Sequence, residues 1–382
     1  MPVAGFDSVV IVGVGLIGGS VAAALKRLPD PPRVLGIDTD VVALRIAIER
    51  GFVDEGSLAD GIGAQVWLSS QGADLVVLAT PAAFVPDWLL RLGDRGFQGV
   101  VTDVASTKGG VLRAVRELLP EPSRFVGGHP MAGSELSGVT AARADLFEGA
   151  YWLLTPSTDT DPDAFTAMHA LVGALGARVI SVDAAAHDEA VAIVSHVPHV
   201  TAAALVDLAA AHSGERGELM RLAAGGFKDT TRIAAGSADL WTGICLDNAD
   251  ALAEGLEELR ARLEAFEDVL RAGDATAVRA WLERAAEVRR SLPAQWVPET
   301  TRLTELVVPM LDRPGQVAEI TGAVSRAGCN IEGLDIDHQS EAAAVLVIVL
   351  TDEGEFSALM EDLVARGYDP RLSPLEPAEE AE

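Results

Sequence analysis

Over its first half the chain alternates short apolar runs with longer amphipathic stretches. Residues 9–12, 33–37, 75–79, 100–102 and 124–128 read as strands, several of them β-branched runs of the kind buried on both faces of a parallel sheet. Segments with helical spacing separate them, the first over 20–27, and this alternation predicts a doubly wound, Rossmann-like α/β domain. From about Ala184 the pattern turns Ala-rich with few breakers, and helices are expected near 184–212, 239–272 and 274–291. That is the profile of an all-α second domain. After a proline-marked linker the periodicity changes again, to strand, helix, strand, strand, helix, strand over 302–309, 312–327, 331–338, 343–350, 354–366 and 368–372. This is the order of a small ferredoxin-like α+β domain. The expected division is therefore 1–182, 183–292, a linker at 293–301, 302–375, and an acidic tail at 376–382 too polar to pack.

Composition narrows the partners. With 29 Lys and Arg against 57 Asp and Glu the net charge is −28, which repels phosphate backbones and anionic membrane surfaces, so no nucleic acid and no membrane is expected. The mean hydropathy of +0.26 raises a membrane reading for the uncharged runs at 8–25 and 190–206. The first is short and glycine-rich with no basic flank, and the second carries two histidines and a proline, so both are read as soluble core. The two cysteines, Cys245 and Cys329, lie far apart with no ligand spacing around them. A reducing cytoplasm is expected, and no metal site.

Candidate chemistry gathers where strands end. The run 9–12 leads into Gly13-Val14-Gly15-Leu16-Ile17-Gly18-Gly19-Ser20. In that context Gly13 makes the tight turn, Gly15 lets the backbone approach a pyrophosphate, and Gly18 lets the helix close on the strand, with Leu16 and Ile17 as further cofactor-binding residues of the loop. Asp38 ends the second strand, twenty residues beyond Gly18. A carboxylate there suits the ribose hydroxyls and favours NAD over NADP; the alternative is a solvated residue opening an Asp38-Thr39-Asp40 turn. Later strand ends present Thr80-Pro81 and the Asp103 to Lys108 turn, in which Ser106 can hydrogen-bond substrate, cap the next helix, or do both. His129 follows another strand, where a neutral imidazole accepts a proton or hydrogen bond from a hydroxyl whose carbon gives up hydride. In the helical half, Ser195-His196-Val197-Pro198-His199 interrupts an apolar stretch, and Arg232 is the residue placed to hold a carboxylate through paired bonds.

Five ordered motifs together resemble the prephenate dehydrogenase family over roughly residues 7–292. They are the glycine fingerprint, Asp103-x-x-Ser106-x-Lys108, His129-Pro130-Met131-Ala132-Gly133-Ser134-Glu135, Ser195-His196-x-Pro198-His199, and Phe227-Lys228-Asp229-Thr230-Thr231-Arg232. The resemblance implies NAD-dependent oxidative decarboxylation of prephenate to 4-hydroxyphenylpyruvate, in tyrosine biosynthesis. It implies catalytic roles for His129 and Ser106, a carboxylate contact at Arg232, pocket roles for Ser134, Glu135, His199 and Trp241, and a homodimer formed through the helical domain. Arogenate is the rival substrate. The turns Asp312-Arg313-Pro314-Gly315 and Gly328-Cys329-Asn330-Ile331 resemble the ACT domain, which implies an amino-acid effector, L-tyrosine, near Gly315, Asn330 and Ile331. The competing reading of Gly315 and Asn330 is a turn glycine and a left-handed asparagine.

Overall fold

A computed structural model describes residues 5–133, 136–212, 223–291, 303–311, 313–338, 343–351 and 354–375. The chain divides into two compact units, 1–263 and 264–382. In the first, β1 (Ser8–Val12), α1 (Leu16–Leu25), β2 (Arg33–Asp38), α2 (Val41–Glu49), β3 (Glu55–Leu58), α3 (Ile62–Trp67), β4 (Leu75–Leu78), α4 (Val85–Asp94), β5 (Val100–Asp103), α5 (Gly109–Leu118) and β6 (Phe125–Pro130) alternate. They are followed by β7 (Tyr151–Thr155), α6 (Pro162–Ala174) and β8 (Arg178–Ser181). The sheet order is β3-β2-β1-β4-β5-β6-β7-β8. Its strands are parallel through β6; β7 runs antiparallel to β6 and parallel to β8.

Successive side chains of a strand point to opposite faces, and both faces of this sheet are buried. Val9, Ile11, Leu75 and Val77 pack on one side, and Val10, Val12, Val76 and Leu78 on the other. All parallel strands therefore end on one edge, where the candidate residues lie. The doubly wound reading is right, but β3, β7 and β8 are additional to the five strands read from the sequence. β3 is Glu-Gly-Ser-Leu with three of four residues exposed, so it has no apolar run to signal it. α1 also begins earlier than expected, at Leu16, because Gly15 is its N-cap.

The helical part runs through α7 (Ala184–Val191), a π turn (Ala192–His196), α8 (Val197–His212), α9 (Gly225–Thr231), a 3-10 turn (Arg232–Ala235), α10 (Ala238–Asp247) and α11 (Ala249–Ala272). The stretch expected as one helix over 239–272 is broken at Asn248, whose φ of −112° and ψ of 35° leave the helical region. Residues 184–212 are long and apolar enough to cross a membrane by length and composition. They nevertheless carry buried His187, Asp188, His196 and His199, and the first three hydrogen-bond to other elements of the same unit.

The second unit takes in the end of α11, then α12 (Ala275–Ser291), β9 (Leu303–Leu311), α13 (Gln316–Arg326), β10 (Ile331–His338), β11 (Ala343–Thr351), α14 (Phe356–Ala365) and β12 (Arg371–Leu375). The sheet is antiparallel in the order β10-β11-β9-β12. Leu306, Val308, Leu346 and Ile348 pack with Ile320 of α13 and with Leu359 and Leu363 of α14, a ferredoxin-like core. Gly315 is the N-cap of α13 at φ +95°, a left-handed conformation that favours glycine. Ile331 packs against the core, and the Asn330 carbonyl accepts from Thr351 N at 3.2 Å. Asp312, the linker at 293–301 and the acidic tail lie outside the described residues.

Candidate active site

The glycine loop has the form of a pyrophosphate cradle. Gly13 has φ +93°, and a Cβ there would sit 2.7 Å from the Ala79 carbonyl oxygen. At Gly18 a Cβ would lie 1.9 Å from the Gly13 oxygen and 2.9 Å from Ala79 Cβ, so only glycine lets α1 close on β1 and β4. Gly15 differs: a Cβ would meet nothing within 4 Å, leaving open space over the helix end. No side chain caps α1, so the first-turn N–H groups at Leu16 and Ile17 remain for an anion. Asp38 completes the loop, its Oδ2 accepting from Val14 N at 2.8 Å and its Oδ1 from Asp40 N at 2.9 Å. Each oxygen keeps a lone pair for a ribose hydroxyl. Asp40, not Asp38, caps α2, through Val42 N at 2.7 Å. Thr80 Oγ1 is buried with no partner among the described residues, beside an exposed Pro81. These groups fit a dinucleotide. Gly18→Ala is expected to force the loop apart at an overpacking cost of roughly 1–3 kcal/mol, weakening NAD binding by about tenfold. Equilibrium titration with NAD reads it.

His129 lies near the end of β6, 9% exposed. Its Nδ1 is 2.8 Å from His187 Nε2, and His187 Nδ1 is 2.8 Å from Asp188 Oδ1. Burial pulls the His129 imidazole well below its ordinary pKa, with Lys108, His187 and His196 adding to this against the opposing pull of Asp188. His129 is therefore neutral at physiological pH. Asp188 also accepts from Lys108 N at 2.8 Å and Gly109 N at 2.7 Å, so it, not Ser106, satisfies the start of α5. The capping alternative for Ser106 falls, because α5 has no side-chain cap from its own segment. Ser106 sits half-buried in the loop between β5 and α5.

Beneath His129 lies a fully buried ion pair. Lys108 Nζ bonds Asp103 Oδ2 and donates to the Gly128 carbonyl at 2.8 Å, while Asp103 Oδ1 accepts from Gly128 N at 3.1 Å. The pair thus grips both polar groups of the peptide residue preceding His129. Thr107 Oγ1 donates to Asp247 Oδ2, tying the same loop to the end of α10.

On the helical side, His199 is buried and stacks on Trp241, with ring centroids 3.5 Å apart and planes 13° from parallel. Its Nδ1 has no partner among the described residues, and burial lowers its pKa. A Cβ on Gly236 would lie 2.8 Å from Trp241 Nε1, so glycine lets this stack form. His196 meets Trp241 edge-on at 6.0 Å and accepts at Nδ1 from Asn248 Nδ2 at 3.2 Å, while the same amide donates to the Asp188 carbonyl at 2.8 Å. A continuous chain of contacts thus joins His129, His187, Asp188, Asn248, His196, Trp241 and His199. Arg232 stands outside it, exposed at the start of the 3-10 turn, with no carboxylate partner among the described residues. Ser134 and Glu135 lie outside the described residues.

Sequence reading gave no role to His187, Asp188, Asn248 or Lys108. A His-Asp pair inside the Ala-rich run was the available signal for the first two, since polar groups there need partners. Asn248 had none, lying within an unbroken helical pattern.

Comparison with known proteins bears on all three segments. Residues 21–181 match the family model for the nucleotide-binding domain of prephenate dehydrogenase, 183–284 that for its dimerization domain, and 304–367 that for the ACT domain. The chain is 33% identical over 337 residues to the prephenate dehydrogenase of Bacillus subtilis (strain 168), covering 86% of this chain and 88% of that one. Among solved structures it is similar to prephenate dehydrogenase from A. aeolicus in complex with hydroxyphenyl propionate and NAD+, at 30% identity and a TM-score of 0.70, over 75% of this chain and 98% of that one. It is likewise similar to Synechocystis arogenate dehydrogenase, at 30% identity and a TM-score of 0.64, over 74% and 99% of the two chains.

Proposed function

The chain belongs to the prephenate dehydrogenase family, an NAD-dependent oxidoreductase group, and from that premise we propose that it converts prephenate to 4-hydroxyphenylpyruvate in tyrosine biosynthesis. The observation that carries the site is His129, neutral and buried at the strand edge that also bears the glycine cradle. NAD, when bound, supplies the hydride acceptor. As hydride leaves the carbinol carbon, His129 takes the hydroxyl proton and offsets the positive charge developing there. Loss of carbon dioxide follows because it makes the ring aromatic. Gly13, Gly15, Leu16, Ile17 and Gly18 hold the pyrophosphate, Asp38 the ribose, and Thr80 and Pro81 border the loop.

Ser106 shares the hydroxyl contact with His129. His199, whose Nδ1 has no partner among the described residues, and the Trp241 ring stacked on it are proposed as substrate-pocket groups, together with Ser134 and Glu135. An exposed guanidinium with no carboxylate partner among the described residues supports Arg232 as the carboxylate anchor. Arg232→Ala is expected to raise the substrate KM about tenfold with little change in kcat, because the lost contact is made equally before and during reaction. An unaltered KM removes Arg232 from the site.

Arogenate, which carries an amino group where prephenate has a keto group, is the second substrate reading; the likeness to an arogenate dehydrogenase supports keeping it. NADH formation measured with each substrate separates them, and a large preference for arogenate overturns prephenate. The ACT match supports L-tyrosine as a feedback effector acting near Gly315, Asn330 and Ile331. A rate unchanged by tyrosine sinks that assignment. The dimerization-domain match and the exposed Ile193, Val194 and Leu246 support a homodimer. Two separate free thiols, Cys245 and Cys329, support a cytoplasmic location.

A further inference from the structure

We propose that His187 and Asp188 are positioning residues that fix the tautomer of His129, turning its Nε2 toward substrate as a bare acceptor. This rests on the hydroxyl contact assigned to His129 above. The direction of the chain follows from donor and acceptor chemistry. A carboxylate can only accept, so the proton between Asp188 Oδ1 and His187 Nδ1, 2.8 Å apart, belongs to His187. With its one ring proton on Nδ1, His187 presents Nε2 as an acceptor. The 2.8 Å contact then requires His129 Nδ1 to donate. Its Nε2 is consequently unprotonated and available.

Asp188 is itself fixed. Its Oδ1 and Oδ2 accept from Lys108 N and Gly109 N at the start of α5, and α7 is anchored by its own cap at Asp183. Burial pushes the Asp188 carboxyl up, but the bonds from His187, Gly109 and Lys108 outweigh it and hold the group below its ordinary carboxylate range. It therefore stays ionised and acceptor-only while His129 is neutral. The groups facing His129 are Lys108 from the start of α5, His187 and Asp188 from α7, and His196 from the π turn. When His129 takes the substrate proton at Nε2, its Nδ1–H bond to His187 persists, and the Asp188 carboxylate offsets the new charge one ring away. A buried acid that sets an imidazole tautomer in this way is worth several orders of magnitude in rate where its effect is known.

Asp188→Leu in the full-length chain tests this. A leucine of similar volume leaves His187 Nδ1 with no acceptor, so its proton is free to move to Nε2, which then donates to His129 Nδ1 and puts the His129 proton on Nε2. The expected result is a kcat lower by about 10²-fold or more, with NAD affinity unchanged and the ¹⁵N resonances of His129 reporting a proton on Nε2 instead of Nδ1. Wild-type kcat within threefold, or a His129 proton already on Nε2 in the parent protein, overturns the proposal. Should Asp188→Leu fail to fold, His187→Gln and His187→Phe decide. The glutamine keeps a carbonyl acceptor for His129 and is expected to retain at least tenfold more kcat than the phenylalanine; equal rates overturn the proposal. A His129→Asn variant with normal turnover would instead remove the hydroxyl contact itself, an outcome distinct from a silent His187 pair.

Discussion

His129→Asn is expected to lower kcat by about 10²-fold or more and to leave the NAD dissociation constant unchanged. The asparagine amide can occupy the place of Nδ1 and keep a bond toward His187, but nothing replaces Nε2, the nitrogen free to meet a substrate hydroxyl. The proton then has no acceptor as hydride departs, so the loss falls on the chemical step. The glycine cradle and Asp38 lie on separate strands and are untouched, which is why binding is preserved. Steady-state NADH formation reads the first quantity and equilibrium titration the second. Normal turnover would remove His129 from the mechanism.

The same residue fixes a pH profile that sequence alone misplaces. An unperturbed imidazole would lose activity as the pH falls through about 6.5. Here burial, with Lys108, His187 and His196, depresses the His129 pKa well below that value. On the role proposed for His129 the neutral form is the active one, and it persists until the pH reaches the lowered pKa. kcat/KM is therefore flat from pH 8 down through 6.5, with its acid limb displaced below. In His129→Asn that limb disappears from the residual rate.

Where sequence succeeded and failed follows from the range of the interactions. The cradle was legible because Gly13, Gly15 and Gly18 act through their own backbone within six residues. His129 was legible through its motif, but its electrostatic setting was not: the residues that hold it neutral lie 58 positions away on α7 or in the loop before α5. Lys108 illustrates the limit. Its motif gave it no role, and only its packing under Gly127 and its bond to the Gly128 carbonyl show that it is sealed in. Asn248 breaks a helical pattern with no proline or glycine to announce it. On the edges of the sheet, β3 lacks the apolar run that made the central strands visible.

Lys108→Met is expected to cost about 3–5 kcal/mol, because it strands the Asp103 carboxylate in a fully buried site. A methionine fills the volume of the lysine stem but gives nothing to Asp103 Oδ2 or to the Gly128 carbonyl. Removing one member of a buried pair exposes the full desolvation penalty of the other, whereas in the parent protein that penalty is offset by the mutual attraction and by the Gly128 and Ala105 N–H groups that Asp103 accepts. For a unit of this size the cost corresponds to a fall in apparent Tm on the order of 10 °C, read by circular dichroism alongside loss of NAD binding. Asp103→Asn combined with Lys108→Met is expected to recover part of that fall, since the amide oxygen still accepts from Gly128 N and no charge is left buried. A single variant melting within 2 °C of the parent would mean that the pair contributes little, and that His129 is held in place by the His187 and Asp188 contacts alone.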